Sequence, residues 1–240
     1  MSCSLKICTL ITFLTTIYVL SSKFLLDHTL HTSNKKIGIP NLSCGNFASV
    51  VNIIENVGGS ATLVSNPSDL YNFDKVILAG VGAFDYGMSC LRTKGWDTVL
   101  SRLVIEQKRP ILGICLGMQL MCEDSEEGSL PGLGWISGHV QRFKIPADSK
   151  IKIPHMGWNT VRVSKPNSII PVDDGEQRFY FVHSYHAVCD DPSVVLATTH
   201  HGSDVTAAFS LDNIFGVQFH PEKSHRFGIS LMRRYVEMQC

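Results

Sequence analysis

Pro110-Ile-Leu-Gly-Ile-Cys115-Leu-Gly-Met-Gln119 is the stretch from which the fold can be read. An apolar run, Ile111 to Ile114, stops at Cys115, and a helix-like run starts at Leu116. Glycines stand two residues before the cysteine and two after it. This is the layout of a nucleophile elbow, in which a strand turns sharply into a helix and holds a reactive side chain at the turn. The turn imposes a costly backbone conformation on the nucleophile, and Gly113 and Gly117 let strand and helix pass close together. A sulfur held at the start of a helix meets amide donors and the positive dipole end, which favour thiolate over thiol. A structural cysteine in a strand-to-helix turn is the plainer alternative. The full pattern Gly-x-Cys115-x-Gly-x-Gln119 argues against it.

Working outward, the N-terminal side reads as alternating strands and helices. Lys36-Ile-Gly-Ile39 predicts a first strand, limited by Pro40. Cys44-Gly-Asn46 predicts a turn. Phe47, Val50, Val51 and Ile54 then recur at helical spacing until Gly58-Gly59 stops them. Ala61–Val64 and Lys75–Ala79 predict two further strands. Asp97 predicts the cap of a helix running through Leu100, Leu103 and Val104. The order β-α-β-β-α-β implies a parallel sheet with helices on both faces. Beyond an acidic, Gly-rich loop, Glu123–Gly134, strands are expected at Val140–Phe143, Thr160–Val163, Arg178–Val182, Val194–Thr199, Thr206–Ser210 and Ile214–Phe219. Some of them should add antiparallel to the sheet. A last helix is expected from about Ser224 to Glu237, with Phe227, Leu231 and Tyr235 on its buried face. The expected fold class is α/β, a three-layer sandwich around a mostly parallel sheet with antiparallel additions.

Composition narrows the function. Lys plus Arg and Asp plus Glu are both 21 in 240 residues, so no net charge argues for nucleic acid or an anionic surface. The eight cysteines include no Cys-x-x-Cys pair and no zinc-like spacing with histidine. They read as reduced thiols of a cytoplasmic protein, and neither a metal nor a cofactor is expected. Residues 1–35 differ from the rest. Ile7 to Leu20 is apolar but broken by Thr9, Thr12, Thr15 and Thr16, and is shorter than the roughly 20 residues that span a bilayer. Lys6 before it gives it the look of a signal-peptide core. A targeting segment, a membrane-associated tail and sequence outside the functional protein, such as a misplaced start, all fit. The last is favoured because 36–240 reads as one domain without it, although the next methionine after Met1 is Met88. No membrane partner is expected.

A thiol nucleophile needs a base. Gly216-Val-Gln-Phe219-His220-Pro-Glu222 delivers a histidine at a strand end, where a parallel sheet places ligands. Glu222, two residues on, can accept from the imidazole and fix its tautomer. An oxyanion needs donors: the Leu116 amide lies beside Cys115, and Gly80-Val-Gly82 lets a backbone amide approach closely. Gln119, one helical turn beyond Cys115, can project into the same cleft.

These motifs resemble the signature of class I (triad-type) glutamine amidotransferases, through Gly-Ile-Cys115-Leu-Gly-Met-Gln119 and Phe219-His220-Pro-Glu222-Lys-Ser224. Gly80-Val-Gly-Ala-Phe84, His155-Met-Gly-Trp-Asn159 and Tyr180-Phe-Val-His-Ser-Tyr185 resemble the glutaminase subunit of imidazole glycerol phosphate synthase. The resemblance runs from about Lys36 to the last helix, 36–240 corresponding to the amidotransferase domain. It implies that Cys115 attacks the side-chain amide of glutamine with His220 and Glu222 assisting. Ammonia then passes to a (β/α)₈-barrel cyclase partner that makes imidazole glycerol phosphate and AICAR in histidine biosynthesis. It further implies that Gly82, Leu116, Gln119, Ser184 and Tyr185 line the glutamine site. Asn46, Trp158, Tyr180, His183 and Lys223 would face the partner. Three departures stand out. Ala79 replaces the proline of the usual Pro-Gly-Val-Gly, Asn41-Leu-Ser-Cys44 replaces the usual Asp-Tyr-Gly, and residues 1–35 have no counterpart. Phe84-Asp-Tyr-Gly-Met88 and Lys223-Ser-His-Arg-Phe-Gly228 are similar to paralogues that feed ammonia to sugar-amidating enzymes of surface-polysaccharide synthesis, which is the alternative function. A cysteine peptidase or γ-glutamyl hydrolase on the same elbow is disfavoured by Gln119 and Tyr180–Tyr185. An inactive interaction subunit is disfavoured by the intact Cys115, His220 and Glu222.

Overall fold

A computed structural model describes residues 35–239 except 44, 147, 171, 173 and 174. The apolar segment Ile7–Leu20 and the expected extension lie outside the described residues. Among the described residues no helix is long and apolar enough to cross a membrane.

The N-terminal half runs β1 (Lys36–Pro40), α1 (Phe47–Asn56), β2 (Ser60–Val64), β3 (Lys75–Gly80), α2 (Phe84–Thr93), α3 (Trp96–Ser101), β4 (Ile111–Cys115) and α4 (Leu116–Gln119). The second half adds β5 (Asp124–Ser125), β6 (Gly138–Arg142), β7 (His155–Val163), β8 (Gln177–His183), β9 (Tyr185–Cys189), β10 (Val195–His201), β11 (Ser203–Leu211), β12 (Ile214–Val217) and α5 (His225–Glu237). Nine strands form one sheet in the order β2-β1-β3-β4-β12-β11-β10-β7-β8. The first five are parallel, and β11, β10, β7 and β8 add antiparallel. This is the expected mixed α/β sheet. The step from β1 to β2 and the step from β3 to β4 move in opposite directions along it. Right-handed crossovers therefore place α1 and the α2–α3 pair on opposite faces. The last helix, α5, packs beside α1.

Burial explains why the parallel part was legible. Every residue of β3, β4 and β12 is buried, so these strands read as unbroken apolar runs. Lys75 is the exception in composition. Its ammonium is fully buried. It donates to the carbonyls of Tyr235, Val236 and Met238 at 2.6, 2.8 and 2.7 Å, which ties the start of β3 to the last turn of α5. The negative end of the helix dipole and these acceptors replace the water the cation has lost.

Several elements differ from expectation. Helix α2 was not anticipated, because Phe84-Asp-Tyr-Gly-Met reads as loop next to the Gly80–Gly82 turn. Its buried residues Phe84, Met88 and Leu91 nevertheless follow helical spacing. Asp97 is not the cap of α3. Gly95 holds that place with φ 73°, Asp97 lies in the first turn, and the helix runs on into a widened π turn, Arg102–Glu106. A separate three-stranded sheet, β5-β6-β9, was also not foreseen. Two residues of β5 are too few to show a period, and β9 alternates weakly. The strand expected at Ile214–Phe219 ends at Val217, and the chain leaves the sheet through Gln218 and Phe219.

Candidate active site

The elbow has the expected geometry. Cys115 ends β4 with φ 52° and ψ −109°, a conformation that costs about 1–3 kcal/mol for a residue with a side chain. The flanking glycines make the turn possible. A Cβ on Gly117 would lie 1.7 Å from the carbonyl oxygen of Leu78 in β3, and one on Gly113 would lie 2.8 Å from that of Gly117. Helix α4 closes after a single turn, so few helical amides stand behind the sulfur, and the dipole contribution is smaller than a long helix would give. The parallel register sets Gly80 beside Cys115 and Val217 beside Ile114, so the ends of β3, β4 and β12 converge on one point.

From β12 the chain passes through Gln218 and Phe219 to His220. The His220 amide donates to the Tyr180 carbonyl at 2.9 Å. The Ser224 hydroxyl donates to the His220 carbonyl at 2.6 Å, and its oxygen accepts from the Tyr180 amide at 3.0 Å. Fully buried Ser224 thus clasps the histidine turn to the edge strand β8. His220 Nδ1 lies 2.7 Å from Glu222 Oε1, and both side chains are almost entirely buried. Glu222 accepts only, as a carboxylate, so Nδ1 carries the proton. Nε2 is buried with no hydrogen-bond partner of ordinary geometry among the described residues, which leaves it to act on Cys115. Burial works against the charged ring, but Cys115 and Glu222 together outweigh it and hold the His220 pKa up at about 9. A thiol, an imidazole aimed at it and a carboxylate behind the imidazole can form and resolve a thioester.

These groups open into a cavity of about 470 Å³. Gly82, Leu116, Gln119, Ser184 and Tyr185, the residues expected around glutamine, all line this cavity. Gly82 has φ 108° and nothing within 4 Å of a would-be Cβ, so its conformation rather than crowding calls for glycine. Sequence reading missed Glu127. Its carboxylate also lines the cavity, and it accepts from the Phe84 amide at the start of α2 at 2.9 Å. Nothing in the acidic loop Glu123–Gly134 marks which of its carboxylates turns inward. Gln119 donates through Nε2 to the Tyr185 carbonyl and to Gln218 Oε1, both at 3.0 Å. With those donors engaged, its oxygen is the atom left to meet a ligand, and like the Glu127 carboxylate it offers the cavity an acceptor suited to an ammonium group.

The residues expected to face a partner divide. Asn46 caps α1, accepting from the Ser49 amide at 3.4 Å. It lines a small gap with His220, Glu222 and Lys223. Trp158 stacks on His225 at 5.5 Å and meets the edge of Tyr180, over whose ring the Lys223 ammonium lies at 5.9 Å. Next to them Met156 is 62% exposed, paired in register with Val182. His183, by contrast, is buried in the cavity wall and meets His155 Nδ1 at 2.9 Å. Burial lowers His155 to about 4 and His183 to about 3, so both rings are neutral near pH 7. The four described cysteines, 90, 115, 122 and 189, are free thiols.

Comparison with known proteins agrees with this geometry. The family model for class-I glutamine amidotransferases matches residues 45–236. The imidazole glycerol phosphate synthase subunit HisH 2 of Methanococcus maripaludis is 45% identical over 201 residues, covering 84% of this chain and 98% of its own. The subunit of the same name from Pseudomonas aeruginosa is 45% identical over 194 residues, covering 81% and 95%. HisH of Leptospira borgpetersenii is 41% identical over 203 residues, covering 84% and 100%. Among solved structures, PurLQS of Thermotoga maritima shares the fold with a TM-score of 0.64 at 17% identity, over 84% of this chain and 96% of that one. The Trypanosoma brucei CTPS glutaminase domain does so with a TM-score of 0.57 at 15% identity, over 86% and 95%. The chain belongs to the class-I glutamine amidotransferase family and, within it, to the glutamine amidotransferases of the HisH group.

Proposed function

We propose that this protein hydrolyses glutamine to glutamate and ammonia through Cys115, His220 and Glu222. The ammonia is delivered to a (β/α)₈-barrel cyclase subunit that makes imidazole glycerol phosphate and AICAR. The observation that carries the reading is the strained Cys115 with a buried His220–Glu222 pair aimed at its sulfur, inside a cavity of suitable size. Cys115 Sγ, its proton already held on His220 Nε2, attacks the amide carbon. The tetrahedral oxyanion is held by the Leu116 amide and by an amide of the Gly80–Gly82 segment. The imidazolium returns its proton to the leaving nitrogen, and ammonia departs. Water, deprotonated by His220, then cleaves the thioester and frees glutamate. Glu127 and the Gln119 oxygen hold the α-ammonium group, and Ser184 and Tyr185 complete the lining. The catalytic unit is 36–240.

Residues Asn46, Trp158, Tyr180 and Lys223 form the partner face. Asn46 and Lys223 share a gap with His220 and Glu222, which favours a partner whose docking reaches the triad. Steady-state glutaminase kinetics should show a weakly active isolated chain and a large rise in kcat with the cyclase and its acceptor. Equal kcat with and without that partner would overturn the assignment. The segments Phe84–Met88 and Lys223–Gly228 support a second reading, a paralogue serving a sugar-amidating enzyme. Stimulation by that enzyme alone would establish it.

A further inference from the structure

Gln218 lies between the strand that ends at Val217 and the histidine of the site, and no role in the reaction has fallen to it so far. Its side chain is fully buried. Its Nε2 lies 3.7 Å from Cys115 Sγ, within reach of an N–H···S hydrogen bond. Among the described residues the sulfur is the partner recorded for that nitrogen. A side-chain amide can be placed either way round, so the direction of this contact needs independent support.

The surrounding network supplies it. The Tyr185 carbonyl can only accept, so the Gln119 atom 3.0 Å from it must be Nε2. That same Nε2 lies 3.0 Å from the Gln218 amide, which must therefore turn its oxygen toward Gln119. The nitrogen of Gln218 is then left facing the sulfur. The Tyr185 carbonyl is held from its other side. Asn159 Nδ2 donates to the His200 carbonyl at 2.9 Å and to His155 Nε2 at 3.0 Å. His155 Nδ1–H therefore donates to His183 Nε2 at 2.9 Å, and His183 Nδ1–H donates to Tyr185 O at 2.8 Å. Two backbone carbonyls thus fix every tautomer and every amide in a line that ends at the nucleophile.

We propose that Gln218 is a catalytic residue, an amide donor to the Cys115 sulfur that stabilises it whenever it carries negative charge. The sulfur is anionic twice in a turnover. It becomes so when the thiol proton passes to His220. It does so again when water has attacked the thioester, the carbon–sulfur bond breaks and the bonding pair returns to sulfur. Gln218 forms and breaks no covalent bond. Its hydrogen bond strengthens as charge builds on sulfur, because a charge-assisted bond is stronger than a neutral one. A buried pair kept only for packing would need just the Gln119 contact. The second amide nitrogen would then lack a partner, at a cost a methionine would avoid.

The test uses the full chain and Gln218→Met, which removes the donor with little change of volume, together with Gln218→Glu, which puts an acceptor at the sulfur. The first readout is the rate of Cys115 alkylation by iodoacetamide at pH 7. It needs no glutamine and does not depend on the glutaminase reading, although the second readout does. Alkylation should slow by about tenfold in Gln218→Met and by more in Gln218→Glu, with the cooperative thermal transition retained. In the second readout, kcat for glutamine with the activating partner should fall while KM changes little. Intact-mass analysis of quenched reactions should show more glutamyl thioester. Folded variants that alkylate at the wild-type rate would overturn the proposal. Should both variants fail to fold, Gln119→Met releases the Gln218 amide to rotate. It should slow alkylation in the same direction by a smaller factor, and an unchanged rate there would likewise overturn the proposal. If the wild-type chain releases no ammonia from glutamine with either candidate partner, the glutaminase reading fails and the alkylation result stands by itself.

Discussion

The two halves of the sheet do different work. In the parallel half, β3, β4 and β12 are buried on both faces, and their ends carry the strained cysteine, the Gly80–Gly82 segment and the exit toward His220. In the antiparallel half, β7 and β8 alternate buried and accessible residues. One face supplies the cavity wall through His183, while the other presents Met156, Trp158 and Tyr180 outward. Strain at Cys115 can be held because packed strands flank it on both sides, and a half-exposed sheet could not hold it as firmly. A half-exposed sheet can instead offer a surface for recognition. In the proposed function, chemistry and recognition occupy separate parts of one sheet, joined where Ser224 clasps the His220 turn to β8.

Changes in the parallel half should stop turnover whatever the partner does. Cys115→Ala should abolish ammonia release from glutamine, while the partner still uses added ammonium. Residual glutamine-dependent activity in the purified complex would break the comparison at its centre. Gly117→Ala should destabilise the fold by about 3 kcal/mol or more, because its Cβ would meet a β3 carbonyl that cannot move aside. A melting temperature within a degree or two of the wild type would show that the elbow is looser than the packing implies.

Changes in the antiparallel half should act through the partner. Trp158→Ala should weaken the complex about thirtyfold, the cost of losing a central aromatic contact, with the isolated chain's basal rate unchanged. Titration of basal rate and of partner stimulation checks both parts, and a fall in basal rate would merge the two halves. The smallest effect concerns pH. Against burial, Cys115 and Glu222 raise the His220 pKa from 6.5 to about 9, so the stability these two contacts contribute is fully present below about pH 6.5 and is lost as pH rises through about 9. The advantage in melting temperature of the wild type over Glu222→Gln should therefore shrink across that window. A constant difference at pH 6 and pH 10 would argue against an ion pair.

The same contrast governs what could be read from sequence. β3 and β4 are visible as apolar runs ended by glycine or cysteine, and the elbow is visible because close backbone approach demands glycine at 113 and 117. The proposed triad could be read because Cys115 ends a strand between two glycines, and His220 and Glu222 flank Pro221 just beyond the apolar run of β12. Helix α2 was hidden by the glycine-rich turn before it, and β5 by its length of two residues. Gln218, Glu127 and Ser224 were hidden for another reason. A polar residue at a strand exit or in a loop reads as solvated until tertiary contacts show it buried, as at Gln218 and Ser224, or turned into a cavity, as at Glu127. His183 was placed with the partner face by resemblance, whereas its neighbours turn it inward to His155 and Tyr185.

Lys75 gives the domain a schedule. Its ammonium leaves water for the carbonyls of Tyr235, Val236 and Met238, and the first of these lies 160 residues further along the chain. On the ribosome, β3 emerges long before those acceptors exist. Those three hydrogen bonds, and the anchoring of β3 that they provide, can form only once α5 has been synthesised and has wound its last turn.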